Sequence, residues 1–372
     1  MLRMILRFIF IFIVFLTSCT GGPSLAVPQS TNTTTSLPPT ATVPPTVTVP
    51  SETPTIPVST ATEIQAAVTP TPMLLPPIGR GSSFAYDRGN GEVLVFGGSL
   101  EGASDLSNET WAWNGHAWNQ HQPQNAPPAR LSPGIVYDPN LKGVVLFGGA
   151  QMEGQAFGDM WLWDGENWTE IKPPQLPAPR VKPLMVYDDA RNEVVMFGGH
   201  YFDKDGNFIY LNESWTFDGQ TWAKRNPTHS PLGGDGVPQP IMTYDVARKQ
   251  IVLLEFGGGT WVWKGNDWNK LAVAGESPLS VEGALGYDEK NQLVVLWGHD
   301  TLKVREFPSE TWLFDGQTWS IAKEREHGPF SPEATLLYDV RQQKLLLFAF
   351  VGGDYLLIWE WGDTGWQEIG KP

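Results

Sequence analysis

Three arginines occur at matching places in the sequence and could together bind an acidic ligand. Arg80, Arg130 and Arg180 each precede a tyrosine by six or seven residues. A guanidinium group binds a carboxylate through two parallel hydrogen bonds, so three converging arginines would form a carboxylate site. The alternative is that each arginine is a structural part of a repeated unit and bonds to backbone carbonyls of the next unit. The sequence alone does not decide between a carboxylate site and a structural role for these arginines.

A second polar set, Asp203, Asp205 and Asn207, has the spacing of the first half of a calcium loop. Such a loop needs glycine at its sixth position and glutamate at its twelfth. Phe208 and Ser214 stand there instead, so a polar surface turn is favoured. No two of the 6 histidines have metal-ligand spacing, and no catalytic triad, phosphate loop or dinucleotide motif is readable. We therefore predict no metal, no cofactor and no catalytic residue.

Charge and composition narrow the class of protein. The chain has 25 basic and 40 acidic residues in 372, a net charge of −15. A nucleic-acid-binding surface needs a basic stripe, so no nucleic-acid partner is expected. The 17 Trp and 39 Gly, beside a single Cys, favour an all-β domain of short strands and tight turns without an internal disulfide.

Internal repeats give the elements that must position these residues. The dipeptide Tyr-Asp recurs at spacings of 51, 50, 57, 43 and 51 residues. The tyrosines are Tyr86, Tyr137, Tyr187, Tyr244, Tyr287 and Tyr338. An apolar run follows each of them, and a Trp-rich segment closes each unit. These segments contain 16 of the 17 Trp residues. Self-similarity at a period near 50 residues indicates a repeat architecture.

Each unit is expected to form four strands. The aspartate of Tyr-Asp would bond to the turn after the first strand, and the second strand is apolar on both faces. Asn114-Gly115 and its equivalents would form two-residue turns between the third and fourth strands, which would place Trp111 opposite Trp118. Six such sheets cannot bury their faces alone and must stack around an axis. The sequence therefore predicts an all-β fold, a six-bladed β-propeller.

Three features of residues 79–372 resemble kelch repeats. They are the Gly-Gly that ends the second strand, as at Gly97-Gly98, the aromatic third strands and the Trp that opens each fourth strand. This resemblance implies a propeller of the galactose-oxidase type, a fold that serves oxidases, sugar epimerases, glycan binders and protein scaffolds. Galactose oxidase needs copper and a tyrosine–cysteine cross-link, and Cys19 is the only cysteine here, so copper oxidase activity is excluded. Asp315-Gly316 is similar to part of a sialidase Asp-box, but a hairpin turn explains it.

The N-terminus has the anatomy of a secretory signal. Met1–Arg7 is basic, Phe8–Leu16 is apolar, and Leu-Thr-Ser-Cys resembles a lipobox ending at Cys19. We expect residues 1–19 to be a lipoprotein signal with lipidation at Cys19; plain secretion and an uncleaved anchor are the alternatives. Residues 20–78 are rich in Pro, Thr and Ser and are expected to be a disordered linker. The predicted protein is a monomer held by lipid at the cell membrane, on the extracytoplasmic side.

Strand alternation places the long loops on one face of the propeller, where binding usually occurs. We expect a recess over blade four, whose loop between the second and third strands is the shortest. The segments 200–212, 226–240 and 299–309 would form its walls. The candidate ligand-binding residues are His200, Tyr201, Asp203, Asp205, Tyr210, His229, Asp235, His299, Arg305 and Glu306.

Two functions remain open from the sequence. The first is a binding or interaction module, not an enzyme, that recognises a glycan or a protein through the long-loop face. The alternative is a carbohydrate-modifying enzyme of epimerase or lyase type, which would act at the channel mouth with Arg80, Arg130 and Arg180.

Overall fold

A computed structural model describes residues 76, 79–99, 105–152, 154–231, 239–278, 281–300, 309–326, 331, 333–351 and 355–370. The predicted signal segment with Cys19 lies outside these residues, as does almost all of the predicted linker. The expectations for that region therefore stay predictions. In the described ranges no helix is long and apolar enough to cross a membrane.

The described residues form six four-stranded antiparallel sheets, one per repeat. Blade one consists of β1 (Ser82–Asp87), β2 (Glu92–Gly97), β3 (Thr110–Trp113) and β4 (Trp118–His121). Blade two consists of β5 (Gly134–Asp138), β6 (Gly143–Phe147), β7 (Met160–Trp163) and β8 (Trp168–Ile171). Blade three consists of β9 (Leu184–Asp188), β10 (Glu193–Phe197), β13 (Ser214–Phe217) and β14 (Trp222–Arg225), with a separate hairpin of β11 (His200–Phe202) and β12 (Phe208–Tyr210).

The second half of the chain repeats the plan. Blade four consists of β15 (Ile241–Asp245), β16 (Gln250–Leu254), β17 (Thr260–Trp263) and β18 (Trp268–Lys270). Blade five consists of β19 (Val281–Asp288), β20 (Leu293–Asp300), β21 (Ser309–Phe314) and β22 (Trp319–Glu326). Blade six consists of β23 (Ala334–Asp339), β24 (Lys344–Val351), β25 (Tyr355–Gly362) and β26 (Gly365–Gly370).

The second strand of each blade explains why the sheets stack. In β2, Val93 and Val95 pack into a cluster with blade six, whereas Leu94 and Phe96 pack into a cluster with blade two. All four side chains have no exposed surface. Since strand side chains alternate, an apolar run buries both faces only between two neighbouring sheets. The predicted six-bladed propeller is confirmed.

The first strands of adjacent blades contact one another around the whole ring, including blades six and one. No strand is shared across this last interface, because each blade takes its four strands from one stretch of chain. The ring closes instead through side chains: Phe84 stacks on Phe348 at 5.2 Å between ring centroids. The hydroxyl of Tyr86 also donates to Asp339 Oδ1 at 3.2 Å.

The Tyr-Asp dipeptide joins a turn to a neighbouring blade. Asp87 is buried and accepts the backbone N–H of Gly89 at 2.8 Å, as predicted from the sequence. The tyrosine of the motif reaches the preceding blade: Tyr244 accepts the N–H of Ala190, and Tyr287 accepts that of Ala247, both at 3.1 Å. The motif thus satisfies backbone N–H groups of the turns after the first strands, both within one blade and in the preceding blade.

The register of the outer hairpins differs from the prediction. Trp113, not Trp111, pairs with Trp118, so the expected Trp111–Trp118 pair was wrong. The side chain of Asn114 accepts the N–H groups of His116 and Ala117, both at 2.9 Å, and so caps a four-residue turn. The glycine takes the second place of this turn, at a φ of +96° for Gly115, rather than the end of a two-residue loop.

A second hydrogen bond repeats between blades. The Trp that opens a fourth strand donates its indole N–H to the preceding blade: Trp168 to Thr110, Trp268 to Ser214, Trp319 to Thr260 and Trp366 to Thr311, each at 2.9 Å, and Trp222 to Met160 Sδ at 3.2 Å. Trp118 is the exception. Its indole nitrogen is buried without a partner. Ile358 fills the matching place in blade six, and it offers no acceptor.

Candidate functional site

The two arginines in blades two and three are structural. Arg130 has no exposed surface and forms two hydrogen bonds to Asp159, at 2.7 and 2.8 Å, and one to the carbonyl of Gly148 at 2.9 Å. Arg180 is equally buried and bonds to Glu213 and to the carbonyl of Gly198, at 2.8 and 3.1 Å. Neither side chain can reach a ligand at the channel mouth, which corrects that expectation. Each bonds to its own blade, not to the next one.

The third arginine does not occupy the same position. The carbonyl of Arg80 accepts the N–H of Ser99, and the matching bond in blade two is made by Leu131. Arg80 is therefore equivalent to Leu131, one residue after Arg130, and its side chain is exposed. The one-residue difference in spacing from the following tyrosine already carried this signal. The three arginines do not converge into a carboxylate site.

The long-loop end of the axial channel opens into a recess of about 520 Å³, here called the loop-face chamber. Its rim carries one residue per blade, five positions before each Tyr-Asp tyrosine. The described rim residues that line the chamber are Gly81, Ser132, Lys182, Gln239 and Glu333. Sequence reasoning missed this polar rim, although aligning the repeats on their tyrosines would have revealed it.

Hydrogen bonds between neighbouring blades fix part of the rim. Lys182 N–H donates to the carbonyl of Ser132 at 2.8 Å, and Ser132 N–H donates to that of Gly81 at 2.7 Å. Gly81 N–H in turn donates to Glu333 Oε2 at 2.8 Å. Lys182 and Ser132 keep positive φ values of 53° and 48° to make these bonds. The backbone at the rim is thus held in place before any ligand binds.

An apolar collar forms the floor of the loop-face chamber and separates it from a second one. The collar has one residue per blade: Phe84, Ile135, Met185, Met242, Leu285 and Leu336. Below it, the six Tyr-Asp tyrosines line a chamber of about 280 Å³ at the other end of the channel. An ion pair between Arg88 of blade one and Glu289 of blade five, at 3.5 Å, spans blade six at this end. The loop-face chamber is the larger of these two chambers.

The β11–β12 hairpin carries an aromatic cluster above blade three. Phe202 packs on Phe208 with 4.2 Å between centroids, and Phe208 stacks on Tyr210 at 6.0 Å. Phe208 is 41% exposed, which is unusual for a large apolar ring. Of the predicted ligand-binding residues, His200, Tyr201, Asp203, Asp205 and Tyr210 lie together on this hairpin and its turn.

His200 connects the hairpin to the chamber rim. Its Nδ1 lies 3.5 Å from the amide nitrogen of Gln239. Burial, with a smaller effect of the Lys182 charge, lowers the pKa of His200 to about 4, so the imidazole is neutral at pH 7. The other amide atom of Gln239, Oε1, is buried without a hydrogen-bond partner. This oxygen is an unsatisfied acceptor within the rim and has no exposed surface.

The acidic turn of the hairpin is closed on itself. Asp203 Oδ1 accepts the N–H groups of Asp205 and Asn207, both at 2.9 Å, and Asp203 Oδ2 accepts the side chain of Asn207 at 3.0 Å. These bonds lower the pKa of Asp203. These bonds form a closed polar turn on the surface of the hairpin.

The remaining predicted site residues are His229, Asp235, His299, Arg305 and Glu306. His229 bonds to Asp267, with 2.9 Å between Nδ1 and Oδ2, and so lies against the outer turn of blade four. Asp235, Arg305 and Glu306 lie outside the described residues. His299 pairs with Glu282 in the β19–β20 ladder, and its side chain is outside the described part.

Comparisons with known proteins agree with this architecture. The KLHDC2/KLHL20/DRC7 Kelch-repeats domain matches residues 82–260. Among solved structures, that of YjhT is similar with a TM-score of 0.54 and 16% sequence identity, covering 79% of this chain and 98% of that chain. At this identity the likeness extends to the fold alone. No curated protein matched. The repeats, the ring of six blades and the match to a kelch-repeats domain over residues 82–260 show that the folded region of this chain is a six-bladed β-propeller that contains kelch repeats.

Proposed function

We propose that this propeller is a binding module that recognises a glycan at the loop-face chamber. The composition of the loop-face chamber carries the proposal: polar rim residues, Gln239 among them, lie above an apolar floor. Binding sites typically combine an apolar recess with a few oriented polar groups. The chamber has this composition, with the collar as its floor and Lys182, Ser132 and Glu333 around Gln239.

The aromatic hairpin supports a sugar as the ligand class. Sugars present hydroxyl groups at their edges and C–H groups on their faces. The hydroxyls match the amide, hydroxyl and carboxylate groups of the rim, and the faces match aromatic rings such as Phe208 and Tyr210, which are rigid and largely apolar. Binding is favoured over catalysis, because the arginines expected to act on a sugar acid, Arg130 and Arg180, are buried in pairs with Asp159 and Glu213.

A glycan array of the purified protein tests the proposal directly. Gln239→Leu keeps roughly the size of the side chain and removes its polar amide, so affinity for the best glycan should fall about tenfold, the equivalent of one buried hydrogen bond. Gln175→Leu, at an exposed glutamine outside the chamber, is the matched control. Absence of any glycan binding by the unchanged protein, or equal affinity of Gln239→Leu, would refute the proposal.

The proposal includes a membrane tether. A lipid on Cys19 followed by the Pro- and Thr-rich residues 20–78 would hold the propeller away from the membrane on the extracytoplasmic side. The N-terminal sequence supports this assignment. Labelling with a radioactive fatty acid should mark the unchanged protein and not Cys19→Ala, which should leave the membrane fraction. Equal labelling of both proteins would contradict lipidation at this residue.

A further inference from the structure

Blade six carries a raised hairpin on the long-loop face. In blade one the ladder between the second and third strands ends at Phe96 and Thr110. The equivalent pair in blade six is Phe348 and Ile358, and there the ladder continues for three more pairs, up to Val351 and Tyr355. Tyr355 is 56% exposed, the most exposed of the large apolar or aromatic side chains among the described residues.

Blade three also carries a raised element on this face, the β11–β12 hairpin. Blades three and six are opposite each other, because the first strands follow one another around the ring and three steps separate β9 from β23 in either direction. The loop-face chamber lies on the axis between them. Phe208 and Tyr355 thus stand on opposite sides of the chamber, at 41% and 56% exposure.

The neighbouring blade four is low on the same face. Its β16–β17 ladder ends at Leu254 and Thr260, and a turn closed by the bond from Glu255 N–H to the carbonyl of Gly259, at 2.9 Å, joins the strands. A ligand that crosses the chamber therefore meets an aromatic residue at each end and a low wall on one flank. A single sugar in the chamber would not need the two hairpins.

We propose that the ligand is a linear, neutral oligosaccharide that crosses the loop-face chamber from the blade-three hairpin to Tyr355. This inference rests on the proposed function and adds the shape and charge of its ligand. One sugar unit binds the polar rim, and units on either side stack on Phe208 and Tyr355. A strongly anionic chain is disfavoured because the protein has a net charge of −15.

Chain length gives the decisive measurement. The probes are neutral linear oligosaccharides of one to six units, in the β-1,4-glucose, β-1,4-mannose, β-1,4-xylose, β-1,4-N-acetylglucosamine and α-1,4-glucose series, titrated calorimetrically against the full chain. Affinity for the bound series should rise with length and then level off. Tyr355→Ala should lower affinity for the longest oligomer by about tenfold, as expected for an aromatic anchor, and leave the monosaccharide unaffected. Phe208→Ala should act in the same way.

The control is Val340→Ala, an exposed apolar residue in the turn after β23, at the opposite end of the channel. It should bind every oligomer as the unchanged protein does. Equal affinities for the monomer and the hexamer, or a Tyr355→Ala loss that is the same at every length, overturn the extended ligand and leave the glycan site standing. Failure to bind any member of any series, by a protein with native near-ultraviolet circular dichroism, overturns the linear neutral ligand, and the glycan array then decides whether the glycan site stands.

Discussion

The hydrogen bond from Trp168 to Thr110 offers a direct measurement of what joins one blade to the next. Both residues have no exposed surface, and the bond of 2.9 Å spans blades one and two. Thr110→Val keeps the shape of the side chain and removes the acceptor. An indole N–H that stays buried without a partner costs about 1–3 kcal/mol, and the extra methyl group recovers ~0.8 kcal/mol. We expect a net loss in the free energy of unfolding of about 0.2–2.2 kcal/mol.

Urea unfolding followed by tryptophan fluorescence measures this loss, and each kcal/mol should lower the Tm by about 2–4 °C. Thr110→Ser keeps the hydroxyl and should restore the acceptor. In a double-mutant cycle, Trp168→Phe should make the additional cost of Thr110→Val disappear, because the donor is gone. If Thr110→Val costs the same with and without the indole, the hydrogen bond does not stabilise the interface and the reasoning is wrong.

The interface between blades six and one gives the converse case. Ile358 leaves the indole of Trp118 without an acceptor. Replacing a buried valine by threonine normally destabilises a protein, because the hydroxyl group must be desolvated. Here Ile358→Thr should be at least as stable as Ile358→Val, since its hydroxyl can accept the N–H of Trp118. If the threonine variant is less stable than the valine variant by ~1 kcal/mol or more, the indole N–H of Trp118 does not bond to the introduced hydroxyl group and the prediction is wrong.

Three further predictions concern charged groups. Arg130→Lys should lower the free energy of unfolding by about 2–4 kcal/mol, because it breaks the paired bonds to Asp159, whereas the exposed Arg80→Lys should change it by less than ~0.5 kcal/mol. Burial alone would raise the pKa of Glu213, but hydrogen bonds from its cationic neighbours lower it from 4.5 to about 2. The stabilising contribution of this carboxylate is therefore present above pH 4.5 and is lost as the pH falls toward 2. The difference in free energy of unfolding between pH 7 and pH 3, measured with urea, should be smaller for Glu213→Gln than for the unchanged protein. An NMR titration should give His200 a pKa of about 4, and a value near 6.5 would contradict its burial.

The repeat made the fold predictable from sequence, but not the register of its turns. Tyr-Asp and the Trp positions recur because each makes the same bonds in every blade, as Asp87 does with Gly89. Asn-Gly fits a turn in two registers, and a residue from another blade contributes to the choice. Asn90 of blade one lies over Gly165 of blade two, where a Cβ atom would come within 2.6 Å of the Asn90 amide nitrogen at a φ of +104°. A contact between blades is not visible in a two-residue pattern.

Only part of the candidate site could be predicted from the sequence. Loop length identified the segment that became the β11–β12 hairpin, with His200 and Tyr210 on it. The chamber rim was missed because its positions share no residue type: Ser132, Lys182 and Gln239 are equivalent only in lying five residues before a Tyr-Asp tyrosine. The carboxylate site predicted from the arginines was wrong for the opposite reason. Arg130 and Arg180 share a residue type, and a residue type that repeats from unit to unit indicates a shared structural role more often than a converging site.

Blade four shows how a blade can lose its long loop and keep its core. In blade three, Glu213 binds Lys224 and the indole of Trp215 from a position two residues before that Trp. Blade four has Gly259 there, and a Cβ atom on Gly259 would lie 1.9 Å from Oε1 of Glu255. The carboxylate of Glu255 therefore occupies the space of the missing side chain, and it binds Lys270 at 2.8 Å. The five residues 255–259 are enough to place this carboxylate, so the loop between β16 and β17 can be short. The low side of the loop-face chamber at blade four follows from this replacement of a glutamate before the Trp by Glu255.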